Sequence, residues 1–139
     1  MRTAKPILLV DDDQIDTMTV VRALKELHVT NRIEQVENGE AALSYLNDPA
    51  KDRPCLILLD LNMPVMGGIE FLRVVKGNGL NLKRIPVVVL TTSAAEADMV
   101  KAYDSHANSY LVKPVDFPQF VELLDTLGYY WLAWNERPY

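Results

Sequence analysis

Apolar and polar positions along the chain follow two alternating patterns. Short apolar runs recur at intervals of roughly 25 to 30 residues, and stretches with helical spacing separate them. Ile7-Leu8-Leu9-Val10 is continuous enough to be a strand buried on both faces. Asp11 to Asp13 then stop the run and can cap the next element. From Gln14 to His28, the residues Ile15, Met18, Val21, Leu24 and Leu27 recur at three-residue steps, with Val20 widening the stripe. This predicts one apolar helix face. Arg32 to Val36 is a weaker second strand, and Asn38-Gly39 turns the chain into a short helix over Glu40–Leu46. Leu56-Ile57-Leu58-Leu59 is the most hydrophobic strand and closes on Asp60. Gly67-Gly68 precede a helix over Ile69–Lys76, terminated by Gly77 and Gly79. Pro86 opens the β-branched strand Val87-Val88-Val89-Leu90. A helix around Ala95–Tyr103 and a strand around Ser109–Val112 come next. The last helix carries Phe117, Phe120, Val121, Leu124, Leu127 and Trp131 at three- and four-residue steps.

Strand and helix thus alternate five times, which predicts an α/β domain: a parallel sheet with helices on both faces. The 139 residues suit one ordinary domain and show no internal repeat or low-complexity segment. A net charge of −5 argues against a nucleic-acid backbone or an anionic membrane as partner. Cys55 is the single cysteine, so an internal disulfide is excluded and a reducing, cytoplasmic setting is expected. The apolar runs are too short to span a bilayer, and Met1 to Pro6 does not read as a signal peptide.

Candidate chemistry sits at the strand ends. Ligands of an open α/β sheet bind at the carboxyl ends of its strands. There the first strand offers Asp11 and Asp12, the third Asp60, the fourth Thr91 and the fifth Lys113. Two carboxylates about 5 Å apart repel by roughly 3 kcal/mol at an effective dielectric near 20. Three together call for a cation, and oxygen donors of this kind suit Mg2+. Mg2+ beside a carboxylate, a lysine and a hydroxyl is a constellation for phosphoryl transfer.

The run Leu59-Asp60-Leu61-Asn62-Met63-Pro64-Val65-Met66-Gly67-Gly68 resembles the phosphoacceptor segment of bacterial response-regulator receiver domains, the CheY-like family. Val10-Asp11-Asp12-Asp13 resembles their acidic pair, Leu90-Thr91-Thr92 their switch hydroxyl, and Tyr110-Leu111-Val112-Lys113-Pro114 their lysine signature. Asn38-Gly39-Glu40-Ala41-Ala42-Leu43 matches the opening of their second helix. The similarity covers roughly residues 5 to 127. It implies a flavodoxin-like, doubly wound sheet of five parallel strands in the order 2-1-3-4-5 with five helices.

The same resemblance implies roles. Asp60 would accept a phosphoryl group from a histidine kinase. Asp12 would ligate Mg2+ directly, Asp11 through water, and Asp60 and the backbone carbonyl of Asn62 would complete the protein's share. Thr91 would hydrogen-bond the phosphoryl group and Lys113 would pair with another of its oxygens. Thr92 leaves a one-residue ambiguity, and Asp13 falls beyond the pair, where it would cap the first helix. Tyr110 would swing inward with Thr91, Asn62 and Ser93 would set the acyl-phosphate lifetime, and Pro114 suggests a cis peptide aiming Lys113 inward. Such a protein is not an enzyme with a separate substrate, but it catalyses its own phosphorylation and dephosphorylation.

Ordinary readings exist for each piece: a solvated loop or helix cap at Asp11 to Asp13, a turn at Asp60, a β-forming Thr91, and Lys113-Pro114 as strand-end punctuation. Two other functional classes compete with the receiver. A Mg2+-dependent phosphohydrolase of the haloacid-dehalogenase kind wants Asp-x-Asp-x-Thr/Val, and here the fifth position is Ile15. A phosphorylation-independent adaptor on a receiver scaffold is disfavoured by the complete site.

The expected division is a receiver over 1–127 and an aromatic extension over 128–139. The last eleven residues hold five of the eleven aromatics, Tyr129, Tyr130, Trp131, Trp134 and Tyr139. Interfaces favour Trp and Tyr, so Tyr130, Trp131, Trp134 and Tyr139 are expected at a homodimer contact. This ending resembles single-domain response regulators that work with bacteriophytochrome-type kinases, which implies a light-regulated phosphodonor. No segment is left for an output domain, so output is expected through protein–protein contacts, with neither nucleic acid nor membrane as partner.

Overall fold

A computed structural model describes residues 5–61, 63, 65–77, 82–92 and 94–128 of the chain. Its elements are β1 (Ile7–Val10), α1 (Gln14–Glu26), β2 (Ile33–Val36), α2 (Gly39–Leu46), β3 (Leu56–Leu59), α3 (Gly68–Gly77), β4 (Val87–Thr91), α4 (Glu96–Asp104), β5 (Ser109–Val112) and α5 (Phe117–Gly128), with a 3-10 turn at Leu82–Arg84 before β4. The five strands are all parallel and lie in the order β2-β1-β3-β4-β5. This is the parallel α/β sheet expected from the alternating pattern, in the doubly wound order that the resemblance implied.

Two apolar layers hold the sheet. Alternate strand residues point to opposite faces. Leu8, Val10, Ile57, Leu59, Val87 and Val89 therefore pack toward α2, α3 and α4, where Phe71, Leu72 and Val75 are fully buried. Ile7, Leu9, Leu56, Leu58, Val88 and Leu90 pack toward α1 and α5, meeting Val20, Ala23, Leu24, Phe120, Leu124 and Leu127. Strands β1, β3 and β4 are buried throughout, as their uninterrupted apolar sequences require, while edge strand β2 is half-buried at every position. Cys55 is buried immediately before β3.

The apolar stripe expected on α1 is corrected. Its buried residues are Thr17, Val20, Ala23 and Leu24, whereas Ile15 and Met18 are 75% and 69% exposed. The physical reason is helical phase. A repeat of three falls short of the 3.6-residue turn, so a stripe in steps of three drifts around the helix. Ile15 and Leu24, nine residues apart, are about 2.5 turns apart and face opposite ways. Ile15 and Met18 are thus left on the surface beside the first strand's carboxyl end.

Candidate phosphoryl-transfer site

Adjacent strand ends assemble the site. The parallel register places Val10 of β1 opposite Leu59 of β3, so the next residues along, Asp11 and Asp60, emerge side by side. The backbone ties them down: the Asp60 N–H donates to the Val10 carbonyl at 2.9 Å, and the Asp11 N–H to that of Val36 at 3.0 Å. The Gln35 side chain donates to the Asp11 carbonyl at 2.8 Å. Carboxylate oxygens of Asp11, Asp12 and Asp60 all lie within 4.8 Å of one another.

These three carboxylates differ in surroundings: Asp11 is 1% exposed, Asp60 half-buried and Asp12 exposed. Burial holds the Asp11 pKa above the ordinary carboxylate value, although the Asp13 N–H and the Lys113 ammonium both favour its charge. Close carboxylates with hard oxygen donors and no nitrogen or sulfur among them are the donor set of a divalent ion such as Mg2+ or Mn2+. The residues present fit such an ion, and Asp11, Asp12 and Asp60 are the carboxylates that would hold it.

Lys113 arrives from the far side. It follows β5, and its own N–H donates to the Thr91 carbonyl at 2.8 Å, extending the β4–β5 ladder by one bond. The Lys113–Pro114 bond is trans, since no cis peptide occurs among the described residues, which corrects the expectation drawn from Pro114. The inward aim comes instead from strand pairing and from two ion pairs. The Lys113 Nζ lies 3.2 Å from Asp11 Oδ2 and 2.9 Å from Asp16 Oδ2, with the lysine side chain 9% exposed. Burial works against the ammonium, but the hydrogen bond to Asp16 and the charges of Asp11 and Asp16 outweigh it, so the Lys113 pKa lies above its ordinary value.

Asp16 is the site residue that sequence reasoning missed. It stands in the first turn of α1, and its backbone N–H donates to the Asp13 carboxylate at 3.1 Å. Asp13 accepts from Ile15 N–H as well, at 2.8 Å, so it caps the helix as expected and stays outside the acidic trio. A signal for Asp16 was present in the three-residue step from the cap, which brings the first helical turn back over the strand end. Only the approach of Lys113 gives that position a purpose.

Thr91 and Thr92 differ in burial. Thr91 is the fully buried last residue of β4, whereas Thr92 is exposed. Tyr110 lies beside β4, in register with Val89, and is already buried in the core layer under α3 and α4. Asn62, Ser93, Tyr130, Trp131, Trp134 and Tyr139 lie outside the described residues, and with them nearly all of the extension 128–139. Behind the acidic trio, Gly68 leaves no room for a side chain: a Cβ there would stand 2.5 Å from the Asp60 carbonyl oxygen and 2.7 Å from Leu61 Cα. Its N–H donates to the Leu61 carbonyl at 3.1 Å, so α3 begins directly against the loop that carries Asp60.

Comparison with known proteins agrees with this geometry. Residues 7–125 match the family model of the response regulator receiver domain. The chain is 42% identical over 135 residues to the probable methanogenesis regulatory protein FilR2 of Methanothrix harundinacea, covering 95% of this chain and 86% of that one. It is 39% identical over 132 residues to the response regulator Rcp1 of Synechocystis, covering 92% and 89%. The crystal structure of the phosphorylated cyanobacterial phytochrome response regulator RcpA superimposes with a TM-score of 0.90 at 36% identity, covering 99% of this chain and all of that one. The Mn(2+)-bound form of Rcp1 superimposes with a TM-score of 0.87 at 37% identity, covering 97% and 99%. From the order of its strands, the residues at their ends and these matches together, the chain belongs to the response regulator receiver domain family.

Proposed function

We propose that the chain accepts a phosphoryl group on Asp60 from a histidine kinase and uses it to switch a binding surface. The observation that carries this reading is the convergence of Asp11, Asp12 and Asp60 with Lys113 and Thr91 at the carboxyl end of the sheet. One carboxylate oxygen of Asp60 attacks phosphorus, the P–O bond forms as the P–N bond to the kinase imidazole breaks, and the imidazole leaves with the bonding pair. No proton need be removed from the nucleophile at neutral pH. Mg2+, when bound, would neutralise charge on the incoming phosphoryl group. Thr91 Oγ1 donates to one phosphoryl oxygen and Lys113 Nζ pairs with another. Attack by water on phosphorus later breaks the same P–O bond and regenerates Asp60. The chain is then phosphoacceptor and catalyst in one, with no separate substrate to turn over.

Several observations support the finer parts. Ile15 and Met18 on α1 and Val65 in the β3–α3 loop are exposed apolar side chains around the site, a surface suited to a kinase helix. The likeness to the cyanobacterial phytochrome response regulator RcpA supports a phytochrome-type kinase as phosphodonor. The aromatic residues after 128 support a homodimer. The lone thiol supports a cytoplasmic setting, and no described helix is long and apolar enough to cross a membrane.

The test is mass spectrometry of the intact chain with Mg2+ and a small acyl phosphate. A gain of one phosphoryl group is expected for the wild type and for Asp13→Asn, and none for Asp60→Asn. Labelling that survives in Asp60→Asn would sink the assignment.

A further inference from the structure

We infer that Asp16 is a positioning residue for Lys113: it holds the ammonium at the rim of the unphosphorylated site and yields it to the phosphoryl group. The inference rests on Asp60 being the phosphoacceptor. Three observations carry it. Of the two ion pairs made by Lys113, the one to Asp16 is the shorter, 2.9 Å against 3.2 Å to Asp11. Asp16 lies outside the carboxylate trio that fits a divalent ion, so it stays available to the lysine when Asp11 turns to a cation. Asp16 is also the more exposed partner, at 35% against 1% for Asp11, so its carboxylate regains water when the pair opens.

Partner exchange is a consequence of the charges. An ammonium has three donors and here two carboxylate partners. A phosphoryl group on Asp60 brings roughly two negative charges toward the same ammonium, whereas Asp16 offers one. The doubly charged partner wins, because Coulomb attraction grows with the charge of the partner. Lys113 swings from Asp16 toward Asp60, and the first turn of α1 is left with an unpaired carboxylate.

The exchange has a place to be read out. Asp16 and Lys113 together line a cleft of about 390 Å³ between α1 and the start of α5. Arg22 and Phe117 line it too, with the Arg22 guanidinium 4.4 Å from the centre of the Phe117 ring. The Asp16–Lys113 pair spans this cleft from α1 to the β5 end, so opening the pair changes the charge and shape of its inner wall.

Two measurements test this together. The first follows the Lys113 ammonium by 15N NMR with Mg2+, before and after adding beryllium fluoride as a stable stand-in for the phosphoryl group. The second times Asp60 phosphorylation by a small acyl phosphate at limiting donor. In the wild type the Lys113 signal is expected to shift when beryllium fluoride is added. In Asp16→Asn it is expected to be displaced already without it, with phosphorylation about threefold faster, a size within reach of an ion pair whose carboxylate is partly hydrated. Asp16→Glu, which keeps the charge, should restore the wild-type rate and signal. A wild type that is labelled while Asp16→Asn matches it in rate and Lys113 signal overturns the exchange alone. A slower Asp16→Asn also overturns it, since Asp16 would then be orienting the lysine rather than withholding it. Absence of labelling in the wild type overturns the phosphoacceptor reading and the exchange with it.

Discussion

Two half-buried lysines stand at opposite ends of the same sheet and behave in opposite ways. Lys113, at the carboxyl end, faces the carboxylates of Asp11 and Asp16, and they hold its pKa above the ordinary value despite burial. Lys76, in the last turn of α3, reaches the amino end of β4 and donates to the Ile85 carbonyl at 2.9 Å and to Asn108 Oδ1 at 3.0 Å. Both of these acceptors are neutral dipoles, and burial pushes the Lys76 pKa down to about 8. Asn108 Oδ1 also accepts from the Val87 N–H at 2.8 Å, so this second lysine knits α3 to the starts of two strands. Similar burial therefore produces opposite shifts, and the sign is set by whether the partner carries a charge. One end of the sheet is arranged around charge that must be balanced, and the other around hydrogen bonds that complete the fold.

The sharpest way to break this comparison is Lys113→Met. Removing the cation takes the ammonium away from Asp11 and Asp16 beside the acidic trio, and loss of one member of a buried pair is costly. Metal-free stability is expected to fall by about 2 to 3 kcal/mol, below the range for a fully buried pair because Asp16 is partly hydrated. Urea denaturation measures this, and added Mg2+ should return part of the loss. Unchanged stability in Lys113→Met would mean that the carboxyl end is not charge-limited.

Asp11→Asn tests the same end with the opposite sign. It removes the most buried carboxylate and keeps an oxygen for the Asp13 N–H. Metal-free stability is expected to rise by about 1 kcal/mol. Divalent-cation affinity, followed by calorimetry, should fall at least about tenfold, the size typical of losing a supporting ligand.

Lys76→Met should be the mildest, within about 1 kcal/mol of wild type at neutral pH, because an apolar stem of similar volume replaces a desolvated ammonium. Its signature is in pH dependence. The folded-state pKa near 8 lies below the unfolded value of 10.5, so the penalty for the buried charge is fully present below pH 8. Between pH 8 and 10.5 the unfolded chain binds more protons at this residue, and wild-type stability should rise relative to Lys76→Met. Lys113 runs the other way: its contribution is intact below pH 10.5 and is lost only as pH passes its raised folded-state value. A flat difference between wild type and Lys76→Met across this window would remove the contrast between the two lysines.

The strand ends were the most legible part of the molecule. Leu56–Leu59 and Ser109–Val112 have the expected limits, and Asp60 and Lys113 come directly after them. A continuous apolar run in a doubly covered sheet has one place to stop, so the first charged residue after it marks the strand's end. Helix faces were less legible. The three-residue spacing of Ile15, Met18 and Val21 has the look of a core stripe, yet the burial of α1 runs through Val20, Ala23 and Leu24. Periodicity alone does not reveal which phase the sheet selects.

By itself, then, the sequence determined the alternation of elements, the residues at each strand's carboxyl end and the cap that Asp13 provides, because these depend on local pattern and on the two-fold and 3.6-fold repeats. Tertiary structure alone decided which of these residues meet. The Lys113–Asp16 pair joins positions 97 residues apart, and the Lys113–Asp11 pair joins positions 102 apart. No local rule connects such positions. Strand order and register bring them together, and desolvation then turns their proximity into a constraint on charge.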